Sequence, residues 1–524
     1  MFDYSNLQGL YSAAQTRALD RHAIEKGGIA GHILMARAAA AAWAALLQHW
    51  PQPGPVQVAC GTGNNGGDGY LLADIAHKRG YPVQVWQVGD PARIRGDALR
   101  AREQALANGV PIAPFTPGCL AANVQPNAQQ NAQAGVVVDA LLGTGLGGEV
   151  RPVQREAIDA MNAVGLPLLA LDIPSGLCAD SGRVLGAAVR AQATVTFIVA
   201  KRGLHTGAGP AHCGAISLAA LDVPAASLAA HPADCQRLAL HSLLRQWPAR
   251  PAHAHKGDCG RVLVVGGDLG MGGAILLAAE AALRCGAGLV SVATREQHLA
   301  PLLARRPEAM ARAVRGRQDL APMLAAADVI ALGPGLGQSS WSEQLFQAAC
   351  GQAACGQAAG DRADGNDTGG ATLVVDADAL NLLARGVGGV CPPRRRWVLT
   401  PHPGEAARLL ATDTAAIQAD RFAAVRALQA RFGGVVVLKG KGSLICDGER
   451  LLLSDYGNPG MASGGMGDVL SGVIAALLAQ GLAPVDAAAL GVCLHGAAAD
   501  SAAAAGQRGL LASDLLAPMR ELLG

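Results

Sequence analysis

Tyr456 to Gly481 reads YGNPGMASGGMGDVLSGVIAALLAQG. Gly460, Gly464, Gly465 and Gly467 crowd the part before a helical stripe at Val469, Leu470, Val473, Ile474, Leu477 and Leu478, which Gly481 is placed to end. Glycines at that density suit neither a helix nor a strand interior. A glycine loop feeding a helix start presents unpaired N–H groups at the positive end of the helix dipole, a seat for phosphate. Asp468 lies among those donors. Its carboxylate can cap the helix. Beside a phosphate cradle, it is also placed to take a proton from a hydroxyl that attacks a phosphoryl group.

Four more features of the same half are expected to meet at strand ends. GPGLG (Gly333 to Gly337) allows close backbone approach to a ligand. VVDADAL sets Asp376 after an apolar run, as a structural acid or one on the phosphate side. TPHPGE holds His402 between two prolines, a rigid setting for an imidazole that otherwise reads as packing or a cap. KGKGS supplies Lys439, Gly440, Lys441, Gly442 and Ser443: two cations, two glycines and a hydroxyl for a phosphate tail, or else a solvated hairpin turn. GxxxxGK[ST] is absent, so this is no Walker A loop.

In the first half, CGTGNNGGDGYLLADIAHKRG follows the short apolar run Val56 to Ala59. Asn64 and Asn65 offer side-chain carbonyls and amides, Gly66 and Gly67 allow close approach, and Asp68 adds a carboxylate where a helix begins, near Gly67. An Asx turn with an N-cap is the simpler reading. Asp139 with Gly143 to Gly148, and Asp172 with Ser175, form two further polar clusters after apolar runs. Oxygen donors from Asn65, Asp139 and Ser175, with backbone carbonyls, suit a hard cation, and the low charge count favours a monovalent one.

These clusters need elements to hold them. Helices are expected at Thr16 to Ala23, Ile33 to Leu47, Gly96 to Ala107 and Val153 to Asn162, with strands at Val83 to Val88, Val136 to Asp139 and Leu168 to Leu171. After a linker over Leu221 to Leu240, a second series begins with a strand at Val262 to Val265 and a helix at Ala274 to Leu283. Strands follow at Leu289 to Ala293, Val329 to Leu332, Leu373 to Asp376, Trp397 to Thr400 and Val435 to Leu438. Alternation of this kind predicts two doubly wound α/β domains, residues 1–235 and 236–524, with ligands at the carboxyl ends of parallel strands. A length of 524 residues agrees with more than one core. Asn123 to Gly135 and Ala348 to Gly370 read as surface insertions.

Composition narrows the function. A net charge of +2 gives no basic field for nucleic acid. Twelve cysteines without a CxxC pair fit free thiols in a reducing, cytoplasmic setting. The start has no signal-peptide pattern, Ala38 to Leu47 is too short to cross a bilayer, and Asp486 interrupts the long apolar stretch near the end. A soluble protein is expected.

GNNGGDGY, DALLGTG and DIPSG, in this order and spacing, resemble the N-terminal epimerase domain of the bifunctional NAD(P)H-hydrate repair enzymes. HKGDCGRVLVVGG, GPGLG, TPHPGE, KGKGS and GNPGMASGGMGDVLSG resemble the ribokinase-like dehydratase domain of the same enzymes. The resemblance implies a Rossmann-like domain that interconverts the 6R and 6S epimers of hydrated NADH and NADPH (NADHX and NADPHX). It implies a second domain that dehydrates the 6S form at the expense of ADP or, in some relatives, ATP, with Mg²⁺. It implies that Asn64, Asn65, Gly66, Gly67, Asp68, Gly143, Thr144, Gly145, Leu146, Gly147, Gly148, Glu149 and Asp172 hold the epimerase substrate, and that Asn65, Asp139 and Ser175 hold potassium (K⁺). Ala274, Gly335, His402 and Asp468 would meet the hydrate, and Lys439, Gly440, Lys441, Gly442, Ser443 and Gly467 the adenine nucleotide. Asp468 is the expected base of dehydration, and Asp172 is the candidate for proton transfer in epimerisation. Ser443 stands where threonine is common in the family, which keeps the hydroxyl. A homo-oligomer is expected, without nucleic acid or membrane. The competing readings are a ribokinase-type kinase of a small alcohol for the second half and a ligand-binding or scaffold module for the first.

Overall fold

Apolar runs of four to six residues become strands buried on both faces, because helices cover each side of the sheets. A computed structural model describes residues 1–122, 135–360, 370–389 and 396–524. The chain divides into two units, Gln8–Cys235 and Gln236–Gly524 together with Met1–Leu7.

The first unit contains strands β1 (Gln8–Tyr11), β2 (Val56–Cys60), β3 (Val83–Gln87), β4 (Ile112–Pro114), β5 (Val136–Ala140), β6 (Leu168–Leu171), β7 (Ala193–Phe197), β8 (Ala200–Lys201) and β9 (Ala215–Ala219). The sheet order is β4-β3-β2-β5-β6-β7-β9, with every pairing parallel. β1 pairs with β8, also in parallel. Alternate residues of one strand enter different cores: Val136 and Val138 pack in one cluster and Val137 in the other. Sequential strands run outward in opposite directions from β2 and β5, so their carboxyl ends open a crevice at the reversal of strand order.

The second unit repeats the plan with β10 (Cys235–Arg237), β11 (Arg261–Val265), β12 (Leu289–Thr294), β13 (Met310–Ala313), β14 (Val329–Leu332), β15 (Thr372–Val375), β16 (Trp397–Leu399), β17 (Val435–Leu438), β18 (Ser443–Cys446) and β19 (Leu451–Ser454). Its order is β13-β12-β11-β14-β15-β16-β17-β18-β19-β10. β17–β18 and β18–β19 are antiparallel. The helix Met466–Ala479 is buried along most of its length, and Gly481 follows it at φ +89°. Its Gly472 permits contact with the helix Gly272–Arg284, where a Cβ would stand 2.1 Å from the Ala278 carbonyl oxygen.

Several expectations change. The helix of the NNGGDG motif begins at Asn64, three residues before Gly67, so the motif forms its first two turns. This is possible because Gly69 lets the helix press on the sheet; a Cβ there would lie 2.4 Å from Ala140 Cβ. The stretch read as a linker carries a helix, Ala225–Ala230, and β10. Ala348 is not the start of a surface insertion: the helix Ser340–Gly360 runs through it, and Ala348, Ala349 and Cys350 are buried. The remainder of that stretch from 361 to 369, and 123–134 of the other proposed insertion, lie outside the described residues.

Asp486 does not interrupt the apolar stretch near the end. Pro484–Ala505 is helical and, by length and composition, long and apolar enough to cross a membrane, but 67% of its most apolar window is buried inside the protein. Asp486, 1% exposed, accepts hydrogen bonds from the Phe2 N–H (3.1 Å) and the Tyr4 hydroxyl (2.8 Å). Phe2 and Tyr4 are buried in the second unit's core, which is why Met1–Leu7 groups with that unit rather than with residues 8–235. Replacing Tyr4 by Phe removes one partner of a buried carboxylate, and it is expected to destabilise the second unit by about 1–3 kcal/mol in denaturant unfolding.

Candidate active sites

The crevice of the first unit is a cavity of about 600 Å³. Its walls come from the loop and helix start after β2, the loop after β5, Asp172 after β6, and Lys201 of β8. Of the sequence-derived ligand residues, Asn64, Asn65, Asp68, Gly143, Thr144, Gly145, Leu146, Gly147, Glu149 and Asp172 line it. Gly66 and Gly67 are not part of the lining and are closely packed. A Cβ at Gly66 would lie 2.2 Å from the Gly61 carbonyl oxygen, and one at Gly67 2.6 Å from Met35 Sδ. Gly148 is not part of the lining.

Asp172 sits at φ +65°, and two other lining residues, Ile198 and Leu221, are also left-handed, at +64° and +54°. Asp172 Oδ1 accepts from Lys201 Nζ at 2.5 Å. The Lys201 side chain is 1% exposed, and its ammonium also donates to Thr196 Oγ1 (3.0 Å) and the Phe197 carbonyl (2.7 Å). Sequence reasoning passed over Lys201; the available signal was a lysine inside the apolar run FIVAK. Asp20 was missed as well. Burial lifts Asp20 to about 6, with the Asp172 carboxylate adding to the effect and Lys201 opposing it. Burial, then the Asp172 and Asp20 charges, push Asp68 well above the carboxylate range.

Two of the three expected potassium ligands, Asn65 and Ser175, bond to Leu142, and the third, Asp139, bonds to Ser175. Asn65 Nδ2 donates to the Leu142 carbonyl at 3.0 Å, and Ser175 Oγ accepts from the Leu142 N–H at 2.8 Å. Ser175 Oγ donates in turn to Asp139 Oδ1 at 2.6 Å. Asp139 is fully buried, and burial raises it to about 6 despite the bonds from Ser175. Asn65 Oδ1 is buried and has no hydrogen-bond partner, an oxygen left over for a cation. Among the described residues no group of three His, Cys, Asp or Glu side chains could hold a metal, so a cation here would rest on the single carboxylate of Asp139 with amide, hydroxyl and carbonyl oxygens.

In the second unit, Asp376 after β15, His402 after β16, Lys439 after β17 and Asp468 on the helix Met466–Ala479 come together. Lys439 Nζ donates to Asp376 Oδ1 at 2.6 Å, and Ser471 Oγ donates to Asp376 Oδ2 at 2.7 Å. Burial opposes the lysine's charge, but Asp376 and Glu405 outweigh it and hold the ammonium above its ordinary pKa. Gly467 leaves room for this pair: a Cβ would stand 3.3 Å from both Asp376 Oδ2 and Lys439 Nζ, a tight approach. The N-cap of this helix is Gly465, at φ +91° and with no side chain to offer. Among the described residues nothing donates to the Asp468 carboxylate, so the capping reading has no bond behind it. Burial, reinforced by Asp376, lifts Asp468 to about 7.

His402 is the N-cap of the helix Pro403–Leu410, with Nδ1 accepting from Gly404 N–H (3.0 Å) and Glu405 N–H (3.4 Å). The capping reading therefore holds for it. The same bonds place its proton on Nε2, and burial with Lys439 and Arg408 lowers its pKa. Glu405, which sequence reasoning left without a role, closes the capping box and lies 3.9 Å from Lys439; burial raises it to about 7. Ala274 and Gly335 meet, with a Cβ on Gly335 lying 3.1 Å from Ala274 Cβ.

KGKGS is the β17–β18 hairpin turn, closed by Ser443 Oγ donating to the Gly440 carbonyl at 3.0 Å. Its two lysines differ. Lys439 is in the cluster, whereas Lys441 spends its ammonium on the Asp455 and Gly457 carbonyls, at 3.0 and 2.8 Å. Arg421, 2% exposed, holds the turn from below by donating to the carbonyls of Leu438, Lys439 and Gly442.

Comparison with known proteins matches both units. Residues 262–520 fit the family described as NAD(P)H-hydrate dehydratase, and residues 31–203 the family described as YjeF-related protein N-terminus. The bifunctional NAD(P)H-hydrate repair enzyme Nnr of Coxiella burnetii is 44% identical over 517 residues, covering 98% of this chain and 99% of that protein. The enzyme of the same name from Escherichia coli is 40% identical over 98% of this chain and 94% of its own length. A solved ADP/ATP-dependent NAD(P)H-hydrate dehydratase from Bacillus subtilis, co-crystallised with ATP and Mg²⁺, is 27% identical, with a TM-score of 0.46 over 54% of this chain and 96% of its own. On near-complete alignments at 40% and 44% identity, the chain belongs to the bifunctional NAD(P)H-hydrate repair enzymes.

Proposed function

We propose that the two units act in series on one damaged cofactor. The first interconverts the 6R and 6S hydrates of NADH and NADPH, and the second converts the 6S hydrate back to the dinucleotide while ADP, or ATP, loses its terminal phosphoryl group. The observation that carries the second half is Asp468: a carboxylate without a donor, at a helix start whose cap is a glycine, beside a lysine already paired to another acid.

Hydroxide is a poor leaving group, and phosphorylation makes it a good one. Asp468 takes the proton of the C6 hydroxyl as its oxygen attacks the terminal phosphoryl; the N1 lone pair then expels phosphate from C6, and loss of a C5 proton to the departing phosphate restores the C5=C6 double bond. Lys439 and the first-turn N–H groups offset charge that builds on the transferring phosphoryl. His402, neutral and protonated on Nε2, donates a hydrogen bond rather than a charge. Asp376 has both oxygens engaged, so the residues present do not make a cage for Mg²⁺; the ion would arrive on the nucleotide phosphates, as its octahedral demand favours. In the first unit the buried oxygen left without a donor is Asn65 Oδ1; with Asp139, Ser175 and the Leu142 carbonyl bonded close by, these residues would hold K⁺, whose charge would offset that of buried Asp139. The ten cysteines among the described residues are free thiols, which supports the cytoplasm as the site of action.

Asp468→Asn is expected to cut dehydration of the 6S hydrate by about 10²–10⁴-fold while epimerisation continues, followed by absorbance at the dihydronicotinamide band and by chromatography of the hydrates. Stable phosphorylated hydrate in place of the restored dinucleotide would point to a kinase instead. Because Asp468 must be ionised, the wild-type rate should climb through about pH 7 and level above it. Glu405 titrates in the same window, so persistence of that limb in Glu405→Gln assigns it to Asp468. The folded-state pKa of Asp468 is raised, so its ionised form costs stability above the unfolded value, and Asp468→Asn should be no less stable than wild type at pH 8. Lys439→Met leaves Asp376, 1% exposed, without its cation; a loss of about 3–5 kcal/mol in denaturant unfolding is expected, together with loss of dehydration.

A further inference from the structure

Epimerisation at a carbon that bears both hydroxyl and ring nitrogen needs one group to give a proton and another to take one. We infer that Asp68 is the acid and that Asp172, oriented by Lys201, is the base that opens and recloses the hydrated ring. This assignment rests on the epimerase reading of the first unit.

Both carboxyls line the same cavity of about 600 Å³, and they differ in what holds them. Asp172 gives Oδ1 to the Lys201 ammonium (2.5 Å) and the Phe197 N–H (3.5 Å), while nothing among the described residues donates to its Oδ2. Gly143 keeps the space over that oxygen open, since a Cβ there would lie 3.4 Å from it. Asp68, on the helix Asn64–Lys78, has no hydrogen-bond donor among the described residues. The charged and titratable groups around Asp68 are Asp20 and Arg17 on the helix Ala13–Glu25, Cys60 on β2, Asp97 on the helix Gly96–Ala107, Glu149 and Arg151 after β5, Asp172, and Lys201. Of these, Lys201 opposes a proton on Asp68 but is bonded to Asp172, whereas the Asp172 and Asp20 charges favour one. Two carboxyls in one cavity, one beside a cation and one beside anions, are set apart as base and acid.

The step balances without an oxidant, a reductant or water. Asp172 Oδ2 takes the C6 hydroxyl proton, and the freed electron pair makes C6=O. The C6–N1 bond breaks with its pair going to N1, where the Asp68 carboxyl places its proton. Rotation about C5–C6 presents the other aldehyde face. N1 then re-forms the bond and returns its proton to Asp68, while the oxygen regains a proton from Asp172. Lys201 is a positioning residue: its ammonium holds Asp172 Oδ1 and leaves Oδ2 for the substrate.

The test follows conversion of purified 6R hydrate to 6S by full-length protein without nucleotide, with dehydration of 6S plus ADP as an internal control. Asp68→Asn should slow epimerisation at least about 10²-fold and leave dehydration unchanged. Asp68→Glu, which restores a carboxyl, should recover part of the rate. Wild-type epimerisation should give a bell-shaped pH profile. Lys201→Met should cut kcat for epimerisation at least about tenfold with little change in KM, because Asp172 loses the partner that orients it, and Lys201→Arg should recover part of kcat. An Asp68→Asn variant within about threefold of wild type, or a Lys201→Met variant with kcat unchanged, overturns the assignment. Wild-type protein that leaves the 6R hydrate untouched overturns the epimerase reading beneath it.

Discussion

A lysine largely withdrawn from solvent and bonded to one aspartate, with a second aspartate nearby that has no hydrogen-bond donor among the described residues, is the interaction on which both sites depend. Lys201 with Asp172 makes the pair in the first unit, and Lys439 with Asp376 makes it in the second, at 2.5 and 2.6 Å. A lone ammonium could not persist at these depths, and a lone carboxylate would take up a proton. Once one acid has claimed the cation, the next acid is left in poorly solvated surroundings beside a negative charge. That is the condition of Asp68 and of Asp468, and in both cases burial is the larger cause and the neighbouring carboxylate the next. One electrostatic arrangement therefore prepares both a group that keeps its proton and a group poised to exchange it near neutral pH.

The doubly wound sheet makes this arrangement affordable in both units. Parallel strands end at one edge, so residues far apart in sequence arrive there together, and the helices that follow begin with their N–H groups aimed at the same place. Glycine sets how near those helices come. Gly69 seats the first helix on β2 and β5, Gly467 clears the Asp376–Lys439 pair, and Gly472 lets two core helices touch. Larger residues there would move the acids as well as the packing.

What was legible in the sequence was what is local. Glycine loops, strand ends carrying Asp139, Asp172 or Asp376, and the alternation of strand and helix all show in short windows, and the structure places them at the strand ends. Lys201 did not show, because its partner lies 29 residues away and its own strand, β8, has two residues, too few for a period to register. Lys439 stood out for its glycines, yet its acid lies 63 residues upstream, so KGKGS read as a phosphate tail site or a hairpin turn with no sign of the Asp376 pair that its first lysine makes. Asp486 misled for a related reason. A charge in an apolar run looks like an interruption until Tyr4, 482 residues away, supplies its hydroxyl.

Backbone strain shows which of these placements the fold holds against its own preference. Left-handed backbone costs a non-glycine residue about 1–3 kcal/mol, and Asp172, Ile198 and Leu221 all adopt it on the wall of one cavity. For β-branched Ile198 the conformation is a true outlier. The sheet holds it in place: Asp172 N–H donates to the Val195 carbonyl and Ile198 N–H to the Ala219 carbonyl, each at 2.7 Å, so both residues are pinned by neighbouring strands. Asparagine would tolerate the φ of residue 172 as well as aspartate does. It could not neutralise Lys201, whose side chain is 1% exposed. Geometry alone is thus indifferent between the two residues at position 172, and the buried ammonium is what requires the acid.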